Sequence, residues 1–309
     1  MNNLFKKYAV SVAIAAISAT VLTGCSGSTS ALKSEAEPAR TAPAPSVAFD
    51  AHNPATWTLP IQGYLPSDSA KAQISQAKKQ LIGDCMAGYG FSWKPAPDLP
   101  RIGGKTFVDW RYGIHDLKLA KGRGYKPDAA QQIAYDKAMN AGAVDGLTGG
   151  EDSQTLEGGG VKEVNGKKVP DGGCIGQADR KIGAQAVQSE TAQQVSAETF
   201  TKSKTDARVV KAFDAWSKCM KGKGYNYAEP LDASDDPRFS SRDVTSEEIA
   251  TATTDIECRD KTNVTQVWFK AESALQKKAI EDQAEQLNQE AEALDAAVKK
   301  AAEVVTGTR

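Results

Sequence analysis

Histidine is nearly missing from this chain. His52 and His115 are the only two in 309 residues, and the five cysteines never occur as Cys-x-x-Cys. That leaves no His-Glu-x-x-His protease signature and no paired-cysteine zinc finger. No Gly-x-Ser-x-Gly elbow is present, and Gly122-Arg123-Gly124 lacks the strand and helix context of a nucleotide fingerprint. Neither sign of charge dominates. The formal net charge is −1, and setting Lys6 and Lys7 aside with a leader leaves 36 basic against 39 acidic side chains. Such a balance argues against nucleic acid and against a strongly anionic surface as partners. The longest apolar stretch is YAVSVAIAAISATVL (8–22), too short to span a bilayer comfortably.

That stretch follows Lys6-Lys7 and runs into Leu22-Thr23-Gly24-Cys25. A basic start, an apolar centre and this ending resemble the precursor of a bacterial lipoprotein. The resemblance implies that residues 1–24 are a signal peptide cut before Cys25. It also implies that Cys25 carries palmitate-type acyl chains anchoring the protein in the membrane, since two or three chains hold a protein stably. The implied address is the outer face of the cytoplasmic membrane. Residues 25–55 are rich in Ser, Ala and Pro and lack aliphatic periodicity, so they are expected to be a disordered tether. The roughly 255 residues beyond suffice for one large or two small domains.

Four cysteines remain: Cys85, Cys174, Cys219 and Cys258. An even count in an exported chain reads as two disulfides, for which three pairings exist. A repeat chooses among them. CMAGYGFSW (85–93) and CMKGKGYNY (219–227) write the same Cys-Met-x-Gly-x-Gly-aromatic-x-aromatic pattern twice. Each half then holds one motif cysteine and one later partner, giving Cys85–Cys174 and Cys219–Cys258. A structural zinc is the competing reading, disfavoured by the scarcity of histidine.

Each motif ends a predicted helix. Ile74, Ala77, Leu81 and Cys85 share one helical face, as do Val209, Phe213, Trp216 and Met220, with Cys219 at the edge. Ser67 or Asp68, and Thr205 or Asp206, are suitable N-caps. Gly88 and Gly222 are expected to supply the positive φ that ends each helix, and Gly90 and Gly224 the sharp turn after it. Phe91 with Trp93, and Tyr225 with Tyr227, then fold back over the helix end. The four rings are also a candidate aromatic platform for a ligand.

Between the motifs, 127–142 predicts a short helix bearing Ile133 and Met139, and the Gly-rich 147–160 is expected to be mobile. Asn165-Gly166 between short Val-bearing runs predicts a type I′ hairpin. Thr245-Ser246-Glu247-Glu248 predicts a capping box opening a helix through Ile249, Ala252 and Ile256. Val264, Trp268, Ala271 and Leu275 continue the helical pattern. Beyond them Ile280, Ala284, Leu287, Ala291, Leu294, Val298, Ala301 and Val305 recur at alternating spacings of four and three, a heptad seam. Such a helix either packs on its own body or projects to meet an envelope protein through 280–305.

The expected fold is mainly α with one β-hairpin, built from two disulfide-stapled helical repeats and a long C-terminal helix. The first unit is expected at 56–203 and the second at 204–309. WTLPIQGYLPS (57–67), the motif at 85–93, RYG (111–113), GY (124–125), VNGKKVPDGGCIGQA (164–178), AWSKCMKGKGYNYAEP (215–230) and DIEC (255–258), in that order, resemble secreted actinobacterial lipoproteins. The similarity spans most of 57–275 and departs at the C-terminal heptad helix. It implies an exported, disulfide-bonded body at the cell surface and carries no activity with it.

Among function classes, an enzyme has the thinnest support. His115 in Gly-Ile-His-Asp is the best general-base candidate and Asp109 with Asp116 the best carboxylate pair, yet lone residues of this kind are more often structural. No catalytic residue, cofactor site or metal site is expected. A transporter's solute-binding lipoprotein fits the anchor and the length, but such proteins are built on parallel sheets. An envelope interaction or accessory protein is the favoured expectation.

Overall fold

Ser67 starts the first long helix: its hydroxyl accepts the Ala70 N–H at 3.1 Å, and Asp68 follows where negative charge suits the helix dipole. The computed structural model describes residue 40, residues 48–141, residue 147 and residues 149–307. In chain order the elements are α1 (Asp68–Gly88), α2 (Leu117–Arg123), α3 (Ala129–Ala141), α4 (Glu151–Glu157), the strands β1 (Glu163–Val164) and β2 (Lys167–Lys168), α5 (Gly173–Ile182), α6 (Glu190–Ser203), α7 (Ala207–Gly222), α8 (Ser246–Thr262), α9 (Val264–Asp282) and α10 (Ala284–Thr306). The fold is mainly helical with a single antiparallel hairpin among the described residues, paired Glu163 to Lys168 and Val164 to Lys167.

The repeated motif is a helix stop. At the end of α1 the Phe91 N–H donates to the Met86 carbonyl at 3.0 Å and the Gly90 N–H to Ala87 at 2.9 Å. At the end of α7 the Tyr225 N–H donates to Met220 and the Gly224 N–H to Lys221, both at 3.0 Å. This double closure is a Schellman motif, which needs a left-handed residue just past the helix. Gly90 (φ 86°) and Gly224 (φ 92°) supply it. The expectation that Gly88 and Gly222 do so is corrected, since both are still helical. Each helix runs two residues further than a left-handed Gly88 or Gly222 would allow, because the motif closes on the methionine carbonyl. Met86 and Met220 are fully buried, and Phe91 and Tyr225 pack against the same cores.

One residue before each methionine, the cysteine is bridged. Cys85 joins Cys174 near the start of α5, and Cys219 joins Cys258 near the end of α8, with Cα atoms 5.7 Å apart in both. Each disulfide therefore staples one motif helix to one later helix. The two hydrophobic cores do not divide at residue 203, however. Trp57, Leu59, Ile61, Tyr64 and Tyr112 pack with Phe213, Trp216 and Trp268 in the first core. Ile74, Leu81, Met86 and Ile182 pack with Leu294, Ala297 and Ala301 in the second. Each core thus draws on both halves of the sequence, and the described residues belong to one compact unit.

The C-terminal seam lies against this body. Leu287, Ala291, Leu294 and Ala301 are buried, and Val298 and Val305 are partly so. In this structure the heptad residues therefore pack on their own chain. A break at Gln283 divides the expected continuous helix into α9 and α10.

Three other expectations are refined. The type I′ turn forms at Asn165 (φ 50°) and Gly166 (φ 72°), and the hairpin docks on the end of α1. There the Asn165 side-chain amide donates to the Tyr89 carbonyl at 2.8 Å, and Lys167 Nζ to Gly88 at 2.6 Å. The Gly-rich stretch contains α4, whose Thr155 and Leu156 are buried against α5. Helix α3 forms, but Ile133 and Met139 face solvent and no α3 residue is buried.

Candidate functional site

Three fully buried carboxylates, Glu248, Asp255 and Glu272, organise the first core. Burying a charge is costly unless it is paired and hydrogen-bonded, so each collects donors. On α9, Glu272 accepts from Arg111 Nε at 3.0 Å and Nη2 at 2.6 Å, and from the Tyr112 hydroxyl at 2.7 Å. Gln276, one turn on, donates to Glu272 at 2.8 Å and accepts the Ile61 N–H at 3.1 Å. On α8, Asp255 accepts from Trp216 Nε1 at 2.8 Å, Arg259 Nε at 2.7 Å and the Tyr125 hydroxyl at 3.3 Å. Arg259 gives its other donors to the carbonyls of Tyr112 and Pro230. Glu248 takes the Tyr125 N–H at 3.0 Å and Lys126 Nζ at 3.1 Å.

This network explains the short motifs that periodicity leaves unassigned. Arg-Tyr-Gly at 111–113 supplies two donor side chains to Glu272, and Gly113 leaves the space that Arg259 fills; a Cβ there would overlap the guanidinium. Gly124 does the same for Glu248, and Tyr125 then reaches both Glu248 and Asp255. The capping box is half made for the same reason. Thr245 accepts the Glu248 N–H at 3.1 Å, while the Glu248 carboxylate turns inward to Tyr125. Burial pushes the Asp255 carboxyl above its ordinary value even though Arg259, Trp216 and Tyr125 all favour its charge. Burial, reinforced by the neighbouring carboxylates, raises the Tyr112 and Tyr125 hydroxyls well above the usual phenol range.

At its outer edge the network meets a cleft of about 30 Å³, lined among others by His52, Trp57, His115, Arg259, Asp260 and Gln266. Both histidines of the chain, 63 positions apart in sequence, therefore line one small cavity. His115 Nε2 lies 2.5 Å from Asp109 Oδ1, and the other Asp109 oxygen accepts the Lys105 N–H at 2.5 Å. Burial opposes the Asp109 charge, but these two bonds outweigh it and hold the carboxyl below its ordinary value. A buried aspartate thus fixes the His115 ring and leaves Nδ1 as the free nitrogen. Partial burial raises the Asp260 carboxyl, with His52, His115 and Arg259 pulling the other way. Chemically the cleft can hold a water or two beside an oriented imidazole and a carboxyl biased toward its neutral form.

Both disulfides are present as paired above, and Cys25 lies outside the described residues. Phe91 and Trp93 pack on the second core, Tyr225 and Tyr227 on the first, so the four rings do not form one platform. Each pair folds over its own helix stop. The Tyr227 hydroxyl bonds Asp236 at 2.8 Å, and burial together with that bond pushes it up to about 12. Asp109 pairs with His115 rather than with Asp116, which instead caps α2 by accepting the Leu119 N–H at 2.9 Å. Sequence reasoning missed His52, Asp260, Arg259, Glu272 and Gln276. The glycines beside aromatics at 113 and 124 were the available signal.

Among the described residues no three His, Cys, Asp or Glu side chains are placed to hold a metal ion. Among the same residues no helix is long and apolar enough to cross a membrane. No family model, curated protein or solved structure matches this chain.

Proposed function

We propose that this chain is a lipid-anchored extracytoplasmic protein, held at the outer face of the cytoplasmic membrane through Cys25, and that it works as an envelope interaction or accessory protein. The observation that carries this reading is the pairing of all four body cysteines behind a leader ending in Leu-Thr-Gly-Cys. Two disulfides fit an extracellular or other oxidising compartment. The likeness to secreted actinobacterial lipoproteins points the same way. The partner binds the outer surface of the body, because the 280–305 seam is occupied within it.

The test is fractionation of cells producing the wild type and Cys25→Ala, with mass analysis of the N-terminal peptide. The wild type partitions with membranes and carries an acylated Cys25, whereas the variant is released. An unmodified Cys25, or a variant that stays in the membrane fraction, overturns the anchor. Crosslinking mass spectrometry on intact cells then tests the accessory role: reproducible links to an envelope protein support it, and a chain crosslinked only to itself counts against it. A second reading, a ligand-binding lipoprotein, rests on the histidine-lined cleft. That cleft is far below the roughly 300–1,000 Å³ of ordinary small-molecule pockets, and ligand-induced thermal shifts would favour this reading.

A further inference from the structure

The break between α9 and α10 has no local cause. Residues 277–290, KKAIEDQAEQLNQE, contain neither glycine nor proline, and all are tolerated within a helix. Gln283 nevertheless leaves the helical region, with φ −123° and ψ 23°, and its side chain caps nothing. The apolar rhythm also continues across it, from Ile280 to Ala284, Leu287 and Ala291. Kinks without proline or glycine need another cause. Here it is packing: α9 must lie on α6 and α7 in the first core, while α10, after Leu287 and Ala291 close that core, runs on along α1 and α5 in the second.

Two of the helices that α10 covers are joined independently of it. Cys85–Cys174 ties α1 to α5 covalently. No disulfide reaches α10. Its buried contribution includes the small residues Ala291, Ala297 and Ala301, and the seam also holds Asn288, nearly buried with its Oδ1 unpartnered. Among the described residues its polar ties include two that reach beyond the helix: Thr191 donates its N–H and hydroxyl to Glu290, and Arg40 pairs with Asp295 at an exposed position. A covalently tied pair of helices thus carries α10, which is held there mainly by apolar packing.

We propose that α10 is exchanged between two copies of this chain. With Gln283 helical, α9 and α10 become one rod from Val264 to Thr306, about 65 Å long at 1.5 Å per residue. The exchanged α10 then covers α1 and α5 of the second copy. A second copy is the fitting occupant because its α1 and α5 are the surface the seam already matches, so no new complementarity is required. The exchange does not depend on the lipid anchor.

The test uses residues 26–309, which contain the whole compact unit, unfolded in urea with disulfides intact and refolded at low and high concentration. Mass is read by light scattering after size exclusion. The expected result is a dimer formed at high concentration that persists on dilution. Gln283→Gly lowers the dimerisation constant about tenfold, because the dimer holds two rods and glycine weakens each about threefold. Gln283→Ala raises it about threefold on the same basis. Far-UV circular dichroism of the monomer fractions confirms that both variants fold. Monomer at every concentration, or a dimer indifferent to both substitutions at Gln283, overturns the proposal.

Discussion

Replacing Glu272 by alanine tests whether the buried network holds the first core together. The carboxylate is fully buried and meets Arg111, Tyr112 and Gln276. Its loss strands the Tyr112 hydroxyl and the Gln276 amide and leaves the Arg111 charge without its partner. Breaking a buried ion pair from one side costs about 3–5 kcal/mol. The Arg111 side chain is 15% exposed and keeps some water, which places the cost near the lower end, about 3 kcal/mol. At roughly 2–4 °C per kcal/mol for a chain of this size, the midpoint falls by about 6–12 °C. Glu272→Gln keeps an acceptor for Tyr112 and costs less, about 1–2 kcal/mol. Glu272→Met with Arg111→Met removes both charges and recovers much of the loss. Urea unfolding at neutral pH, followed by far-UV circular dichroism with the disulfides oxidised, reads all three variants. A Glu272→Ala protein within about 1 kcal/mol of wild type, or a double variant no better than the single, would show that these contacts do not carry the core.

Gly90→Ala and Gly224→Ala each force a left-handed residue to carry a Cβ. Each costs about 1–2 kcal/mol in the same urea assay, whereas Gly88→Ala and Gly222→Ala, at helical positions, cost nothing or stabilise. Alkaline stability follows the tyrosines. Tyr112, Tyr125 and Tyr227 all have raised folded values. Their contribution is complete below the ordinary phenol value near 10 and is lost as pH rises past it. Absorbance titration should therefore show a group of phenols that ionises only as the chain unfolds; a single smooth transition near pH 10 for every tyrosine would be the contrary outcome. Asp109 has the opposite sign. Its depressed value gives stability present above the ordinary carboxylate range and lost as pH falls below it. Asp109→Asn should flatten the acid limb of the stability profile, and an unchanged limb would exclude this pair from acid unfolding.

The sequence makes the helices and their stops visible for a physical reason: they are local, whereas the staples, 89 and 39 positions long, were legible only through the repeated motif. Apolar spacing, N-caps, an Asn-Gly turn and a repeated helix stop each act within a few residues, and every one of these devices is found in the structure. The stop was misplaced by two residues because each motif offers two glycines and the first was taken as the left-handed one, while the Schellman closure onto the Met86 and Met220 carbonyls requires the second. The carboxylate core was not legible. Glu272 and Gln276 occupy inward positions of α9, yet polar letters in an apolar stripe read as solvent-facing unless their partners are known. Those partners, Arg111, Tyr112 and Ile61, lie more than 150 positions upstream. Leu275, expected inward, is only partly buried because Glu272 and Gln276 take the core side of its turn. The cleft was hidden likewise, since His52 and His115 are joined only by the fold.

Peptide mapping without reduction, on protein recovered from intact cells, bears most directly on the stapled architecture. Two linked peptides should be recovered, one containing Cys85 and Cys174 and the other Cys219 and Cys258, with no alkylatable thiol among the four. A bridge between Cys85 and Cys219, one between Cys174 and Cys258, or four free thiols would contradict the two-staple fold.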